Sequence, residues 1–177
     1  MIKYCLAKEK FKFLGDRMFL KPEVQYKRIL FCTDFSTNAD FAFYYALASA
    51  KRTGDGELHI LHVLPEPDAQ FWRTYLYEVD DVDDKANADM NEKIANTYLA
   101  EIANDINVIV SVQKGKAEQE ILAYAKKIDA DLLIIGRQGS SSIGKHLFGN
   151  VAEKIARKAN CPVLIIPYSY EKKIEHA

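Results

Sequence analysis

Gly136, Gly139 and Gly149 are spaced G-x2-G-x9-G, and Asn150 follows the last of them. The three lie between an apolar run, Asp131-Leu132-Leu133-Ile134-Ile135, and a run with helical character from Val151 to Ala159. Glycine permits positive φ and leaves no Cβ between the backbone and a ligand. A glycine-rich turn from a strand into a helix gathers backbone N–H groups, and the helix N-terminus adds partial positive charge. The chemistry implied is phosphate binding, and with it a nucleotide ligand. The same stretch offers a competing pattern. Gly139-Ser140-Ser141-Ser142-Ile143-Gly144-Lys145 matches the start of a P-loop, G-x-x-x-x-G-K. That motif next needs Ser or Thr to hold magnesium. His146 stands there instead, and no second acidic strand end suits a Walker B role.

Other residues could act beside the glycines. Lys145 and His146 could each neutralise a phosphate, or be solvated loop residues. Ser140, Ser141 and Ser142 are hydroxyl donors in the same place, or ordinary loop composition. Asp34, at the end of the first domain strand, could contact a ligand or cap the helix that follows. His59 and His62 stand three apart on a strand, so they point to opposite faces and do not share a metal ion. The acidic run Asp80 to Asp84 lacks the glycine and terminal Glu of a calcium loop and reads as a helix start. Phe71, Trp72, Tyr75 and Tyr77 read first as core packing, then as a lid or interface. No general base, nucleophile or metal pair is assembled near the glycines, so catalysis beyond slow nucleotide hydrolysis is not expected. The SGG-type loop of ATP pyrophosphatases and the HIGH-type signature of class I tRNA synthetases are both missing.

The elements that must position these residues alternate. Ile29 to Thr33 reads as strand, and Thr37 with Asp40 fits a capping box for a helix carrying Ala39, Phe43, Ala46, Leu47 and Ala50. Gly54-Asp55-Gly56 ends that helix. Leu58 to Leu64 is the second strand of the domain, stopped by Pro65 and Pro67. A long connection leads to a helix from about Asp84 to Asn104. Val108 to Val112, Leu132 to Ile135 and Pro162 to Pro167 are further strands. Helices around Ala117 to Ala125 and Val151 to Ala159 separate them. The second and fourth strands are nearly continuous apolar runs, as in strands covered on both faces. The pattern predicts an α/β, Rossmann-like domain: a doubly wound five-stranded parallel sheet of order 3-2-1-4-5. Ligands in such sheets bind at the carboxyl ends of strands where the order reverses, which would bring Asp34 and Gly136 to one crevice. Residues 1–26 form an extension outside the pattern. Phe11 to Leu14 and Arg17 to Leu20 around Gly15-Asp16 fit a β-hairpin, against a disordered basic arm. The domain is expected over residues 27–170, with a tail at 171–177.

Bulk properties narrow the class. The chain has 177 residues, enough for one domain with a proper core. Its net charge of −1 offers no basic excess for general nucleic-acid or membrane-surface binding. Cys5, Cys32 and Cys161 make neither a disulfide framework nor a zinc pattern, which suits a cytoplasmic setting. No apolar run reaches the ~18–20 residues of a membrane span.

Taken together, the motifs resemble the universal stress protein family, whose nucleotide-binding members carry G-x2-G-x9-G-[ST]. Thr33-Asp34-Phe35-Ser36 is similar to the family's first strand end, His62-Val63 to its second and Gly115-Lys116-Ala117 to its third. Cys161-Pro162-Val163-Leu164-Ile165-Ile166-Pro167 is similar to its last strand. The resemblance spans about Tyr26 to Tyr168. It implies ATP as ligand, with or without magnesium, and a regulatory role exercised through nucleotide-dependent conformation or partners. Asp34 would lie at the adenosine, Val63 at adenine and Gly115 near ribose. Gly136, Gly139, Gly149 and Asn150 would hold the phosphates, and Thr33, Arg137 and Val151 would belong to the same nucleotide site. The resemblance also implies a homodimer through the last strand, Pro162 to Pro167. Alternatives are a nucleotide-free dimeric scaffold of the same fold and a weak ATPase. Asn150 departs from the family's hydroxyl. It can donate through its NH2 or turn its oxygen onto the helix as an N-cap.

Overall fold

A computed structural model describes residues 11–14, 17–20, 25–54, 56–65, 82–102, 106–138 and 149–171. Two short strands come first, β1 (Phe11–Leu14) and β2 (Arg17–Leu20). They pair antiparallel, with Leu14 opposite Arg17, as the hairpin reading expects. The domain then runs β3 (Arg28–Thr33), α1 (Thr37–Thr53), β4 (Glu57–Leu64), α2 (Val82–Thr97) and β5 (Asn107–Lys114). It continues with α3 (Ala117–Lys127), β6 (Leu132–Gly136), α4 (Asn150–Lys158) and β7 (Val163–Ile166).

The main sheet has five parallel strands in the order β5-β4-β3-β6-β7, the predicted 3-2-1-4-5. From β3 the chain builds outward through β4 to β5, then returns to the other side of β3 as β6. The order therefore reverses between β3 and β6. The two apolar strand runs behave as expected. All five residues of β6 are buried, and so are five of the eight in β4.

Two cores flank the sheet. Ile29, Phe31, Leu58, Ile60 and Ile134 point to the face covered by α1 and α2, where Phe43, Ile94 and Tyr98 meet them. Leu30, Cys32, Leu61, Leu133 and Ile135 point to the face covered by α3 and α4, through Ile121, Tyr124 and Ile155. Each strand alternates between the two faces, and this assigns every strand-end residue to one side or the other. His59 and His62 obey the same rule. His59 Nδ1 lies 3.1 Å from the Tyr124 hydroxyl on α3, while His62 Nδ1 lies 2.8 Å from the Thr33 carbonyl, and its ring packs on Phe35.

Two local readings are corrected. The cap of α1 is Ser36, whose Oγ accepts from the Ala39 N–H, rather than a Thr37–Asp40 box. Ser36 takes this role because its own backbone is extended (φ −80°, ψ 154°) while Thr37 is already helical. Asp40 instead accepts a 2.6 Å hydrogen bond from the Tyr98 hydroxyl. The second correction concerns α2, which ends at Thr97 and not near Asn104. Tyr98 follows with φ −119° and is 1% exposed. Burying this aromatic breaks the helical run, and a 3-10 turn (Leu99–Glu101) follows.

Candidate functional site

The crevice at the β3/β6 reversal is the site to which the topology points. It has a volume of about 190 Å³. Its floor and one wall are apolar: Cys32, Leu61 and Ile135 come from the sheet, and Ala117 and Ile121 come from α3. Asp34, Val63, Gly136 and Arg137 reach it from the strand ends, and Gly149, Asn150 and Val151 from the start of α4. The fold thus brings together eight of the sequence-predicted positions, Thr33 among them. Gly139, Ser140, Lys145 and His146 lie outside the described residues, as do Ser141, Ser142 and the aromatic group Phe71 to Tyr77. Ala117, Ile121 and Gln138 were not among the predicted positions. The i, i+4 spacing of Ala117 and Ile121 was the available signal, since it turns both toward the sheet.

Asp34 is exposed and sits directly after β3. Its Oδ1 accepts from the Ser36 N–H at 3.1 Å and from Ser36 Oγ at 2.6 Å. Ser36 therefore caps α1 and orients Asp34 at the same time. Thr33 contributes less than predicted through its side chain. Its Oγ1 accepts from the Phe35 N–H at 2.9 Å and lies 2.6 Å from the Tyr98 hydroxyl, on the α1/α2 face. Because the Tyr98 proton goes to Asp40, Thr33 is the donor in that pair. Strand alternation sends this side chain away from the α3/α4 face, to which Cys32 belongs.

The glycines divide by role. Gly149 is buried and is the N-cap of α4, with φ −69° and ψ 148° and no side-chain cap. Its N–H donates to the Arg137 carbonyl at 2.8 Å, which ties the helix start to the end of β6. The N–H groups of Asn150, Val151 and Ala152 begin the helix, where no preceding turn supplies acceptors. All three residues line the crevice. Asn150 occupies the first helical position, so the alternative in which it is the N-cap does not hold. Gly136 has a different reason to be glycine. A Cβ there would lie 3.0 Å from the backbone carbonyl carbon and oxygen of Asn38. Asn38 is buried, donates Nδ2–H to the Ile166 carbonyl at 2.8 Å and accepts from the Gln138 N–H at 3.2 Å. Gly136 therefore lets α1 pack against the ends of β6 and β7. Gly115 has φ 150°, and its N–H donates to the Leu64 carbonyl at 2.9 Å. The Glu120 carboxylate folds over it, 2.9 Å from where a Cβ would stand. Gly115 thus makes the β5–α3 turn and is not among the described residues lining the crevice.

Arg137 adds an electrostatic feature. Its Nε is the buried side-chain nitrogen or oxygen that lacks a hydrogen-bond partner among the described residues. Buried polar groups are nearly always satisfied, so such an atom beside a crevice calls for an acceptor. Between the first turn of α3 and the middle of α4, Lys154 Nζ donates to Glu118 Oε1 at 2.7 Å, and that hydrogen bond holds the Glu118 carboxyl below its usual range. The Cys32 thiol on the floor is buried, and desolvation pushes its pKa far up, so it stays protonated. It is an apolar wall, not a nucleophile.

Phe35 is the strained residue of the site, with φ 57°. The left-handed region costs a residue bearing a Cβ roughly 1–2 kcal/mol. The His62 ring at 4.8 Å, the Tyr98 ring at 6.1 Å and Lys93 Nζ at 4.1 Å from the ring centroid hold it there. Burial lowers the pKa of His62, and Lys93 does so further. The Thr33 carbonyl and Asp34 oppose this.

The sequence profile of the universal stress protein family matches residues 25–167. A protein named as a universal stress protein in Staphylococcus aureus strain USA300 is 32% identical over 148 residues, covering 81% of this chain and 85% of the relative. A Staphylococcus epidermidis relative of the same name has the same identity and coverage. Among solved structures, the hypothetical protein MJ0577 superposes with a TM-score of 0.70 at 27% identity, covering 81% of this chain and 97% of that one. The universal stress protein UspA of Lactobacillus plantarum superposes with a TM-score of 0.64 at 24% identity, covering 80% and 98%. On the matched length, the shared strand order and these identities, the chain belongs to the universal stress protein family.

Proposed function

We propose that the crevice binds an adenine nucleotide, ATP in the first instance, and that the protein acts as a regulator through nucleotide-dependent conformation or partners. The observation that carries this reading is a convergence. The uncapped start of α4 lines the same crevice as Arg137, whose buried Nε has no hydrogen-bond partner among the described residues. Backbone N–H groups at a helix start and a guanidinium N–H are both donors suited to phosphate oxygens. The apolar floor suits a base, and Asp34 at the rim suits a sugar hydroxyl or an amino group. Two relatives of the same fold are described in complex with cAMP and with dAMP, which supports an adenine nucleotide as the ligand class. The described residues contain no cluster of three or more side chains able to hold a metal. Magnesium, if bound, would be held chiefly by phosphate oxygens and water.

The test is mass spectrometry of gently purified protein, together with thermal melting against ATP. A co-purified adenine nucleotide, or a melting temperature that rises with ATP, is the expected result. Neither appearing would remove the reading.

One observation favours the nucleotide-free alternative. Gly136 and Gly115 are each explained by packing or turn geometry, so two of the glycines do not require a ligand. Either reading includes a homodimer through β7. That strand ends the sheet order, and Leu164 within it and Tyr168 and Tyr170 after it are 37%, 39% and 44% exposed. An apolar edge strand of this kind tends to be paired or covered.

A further inference from the structure

The turn that carries Asp34 into the crevice is gripped from behind by an element none of whose described residues lines the crevice. Phe35, in its left-handed conformation, donates its N–H to Thr33 Oγ1, and that hydroxyl is bound in turn to Tyr98. The Tyr98 hydroxyl donates to Asp40 on α1 at 2.6 Å. Tyr98 also stacks on the Phe35 ring, with an interplanar angle of 14°. Lys93, on the last turns of α2, sets its ammonium 4.1 Å from the centre of the same ring. On the sheet side, His62 packs against Phe35 and donates Nδ1–H to the Thr33 carbonyl. Tyr98 continues the end of α2, since its N–H donates to the Ile94 carbonyl at 2.9 Å. No described residue of α2 lines the crevice, which lies on the opposite face of the sheet.

A strained turn keeps its conformation only while its surroundings over-determine it. Here the surroundings are supplied largely by α2 and the residue that ends it. We propose that Tyr98 and Lys93 are positioning residues for the nucleotide site: the α2 end clamps Phe35, Phe35 places Asp34, and docking of α2 is thereby coupled to occupancy of the crevice. This rests on the reading of the crevice as a nucleotide site. Release of α2 frees Phe35 to relax to negative φ, which turns Asp34 away from the rim. Coupling of this sort is reciprocal, so nucleotide in the crevice must also stabilise the end of α2. A partner that engages or displaces α2 would then change nucleotide affinity without approaching the ligand.

The experiment measures ATP dissociation constants by calorimetry, and amide exchange across α2 with and without ATP. It uses the full chain and two variants. Tyr98→Phe keeps the ring stack and removes the hydroxyl that joins Thr33 to Asp40. Lys93→Met removes an exposed ammonium, keeps an apolar stem and leaves the core untouched. In the wild type, ATP is expected to slow exchange in the last turns of α2. Tyr98→Phe is expected to weaken ATP by about 3–10-fold, the worth of one net hydrogen bond, and to abolish that protection. Lys93→Met is expected to weaken ATP by about 2–5-fold, as for an exposed cation–π contact, and to lower the melting temperature in the absence of ligand by no more than about 4 °C. If the wild type binds ATP but α2 gains no protection and Lys93→Met binds as tightly, the coupling is wrong and the nucleotide reading stands. If the wild type binds no adenine nucleotide, both fall together.

Discussion

A glycine in a phosphate-binding pattern invites the assumption that phosphate requires it, and Gly136 shows how that assumption can fail. Its missing Cβ leaves room for the Asn38 backbone. Gly136→Ala would push α1 away from β6, an overpacking cost of about 1–3 kcal/mol. Urea titration should show this loss without nucleotide present, and unchanged stability would return Gly136 to a purely ligand-binding role. Asn150 is the opposite case, exposed at the first helical position and lining the crevice. Asn150→Ser should leave stability within about 0.5 kcal/mol, as is usual for surface substitutions. It should lower the ATP dissociation constant, and an unchanged constant would show that Asn150 does not limit affinity. His62 predicts a pH dependence. Burial depresses its pKa, so the unfolded chain takes up the proton first as the pH falls. Its contribution is fully present above the ordinary histidine value near 6.5 and is lost as the pH falls through the lower native value. Wild type should therefore lose stability on going from pH 7 toward pH 5 more steeply than His62→Phe, measured by denaturant unfolding at each pH.

Among the elements, α1 organises the crevice without supplying its polar groups. Its first turn bears Ser36, which orients Asp34, and Asn38, which joins the Ile166 carbonyl of β7 to the Gln138 N–H after β6. Asn38→Leu would remove both hydrogen bonds, while the Ile166 carbonyl would still accept from the Arg137 N–H, so the cost is about 0.5–1.5 kcal/mol for each bond lost. A drop in thermal stability with loosened amide protection at Gln138 is the expected result, and retention of both would assign the anchoring elsewhere. The strands were readable from their apolar runs because burial on both faces leaves no alternation to confuse. The cap of α1 and the end of α2 were not. Ser36 and Thr37 are both good cap residues, and only the extended backbone at Ser36 separates them. The end of α2 depends on Tyr98 finding partners in Thr33, Asp40 and Phe35, all more than fifty residues earlier in the chain.

For the whole molecule, the exposed edge at β7 bears on assembly. Sedimentation equilibrium at micromolar concentration should give a dimer, and Leu164→Asp should shift it toward monomer, since a charge on an edge strand opposes pairing. A monomeric wild type would end the dimer proposal. Nucleotide binding and stability are linked at this scale too. At 100 times its dissociation constant, a ligand adds about 2.7 kcal/mol to a protein that binds it only when folded.

Periodicity and punctuation in the sequence by themselves determined the alternating strands and helices, and with them a doubly wound parallel sheet. Local burial and turn chemistry set those elements, whereas the pairing of β3 with β6, which brings Asp34 and Gly136 to one crevice, is a contact between distant strands. The glycine spacing likewise marked the start of α4. Tertiary structure alone decided which atoms each residue presents there. Strand alternation turned the Thr33 hydroxyl to the far face, close approach of Asn38 gave Gly136 its reason, and the pull of Tyr98 put Phe35 under strain. Each of these depends on contacts between residues distant in sequence, and so on distances that no local pattern encodes.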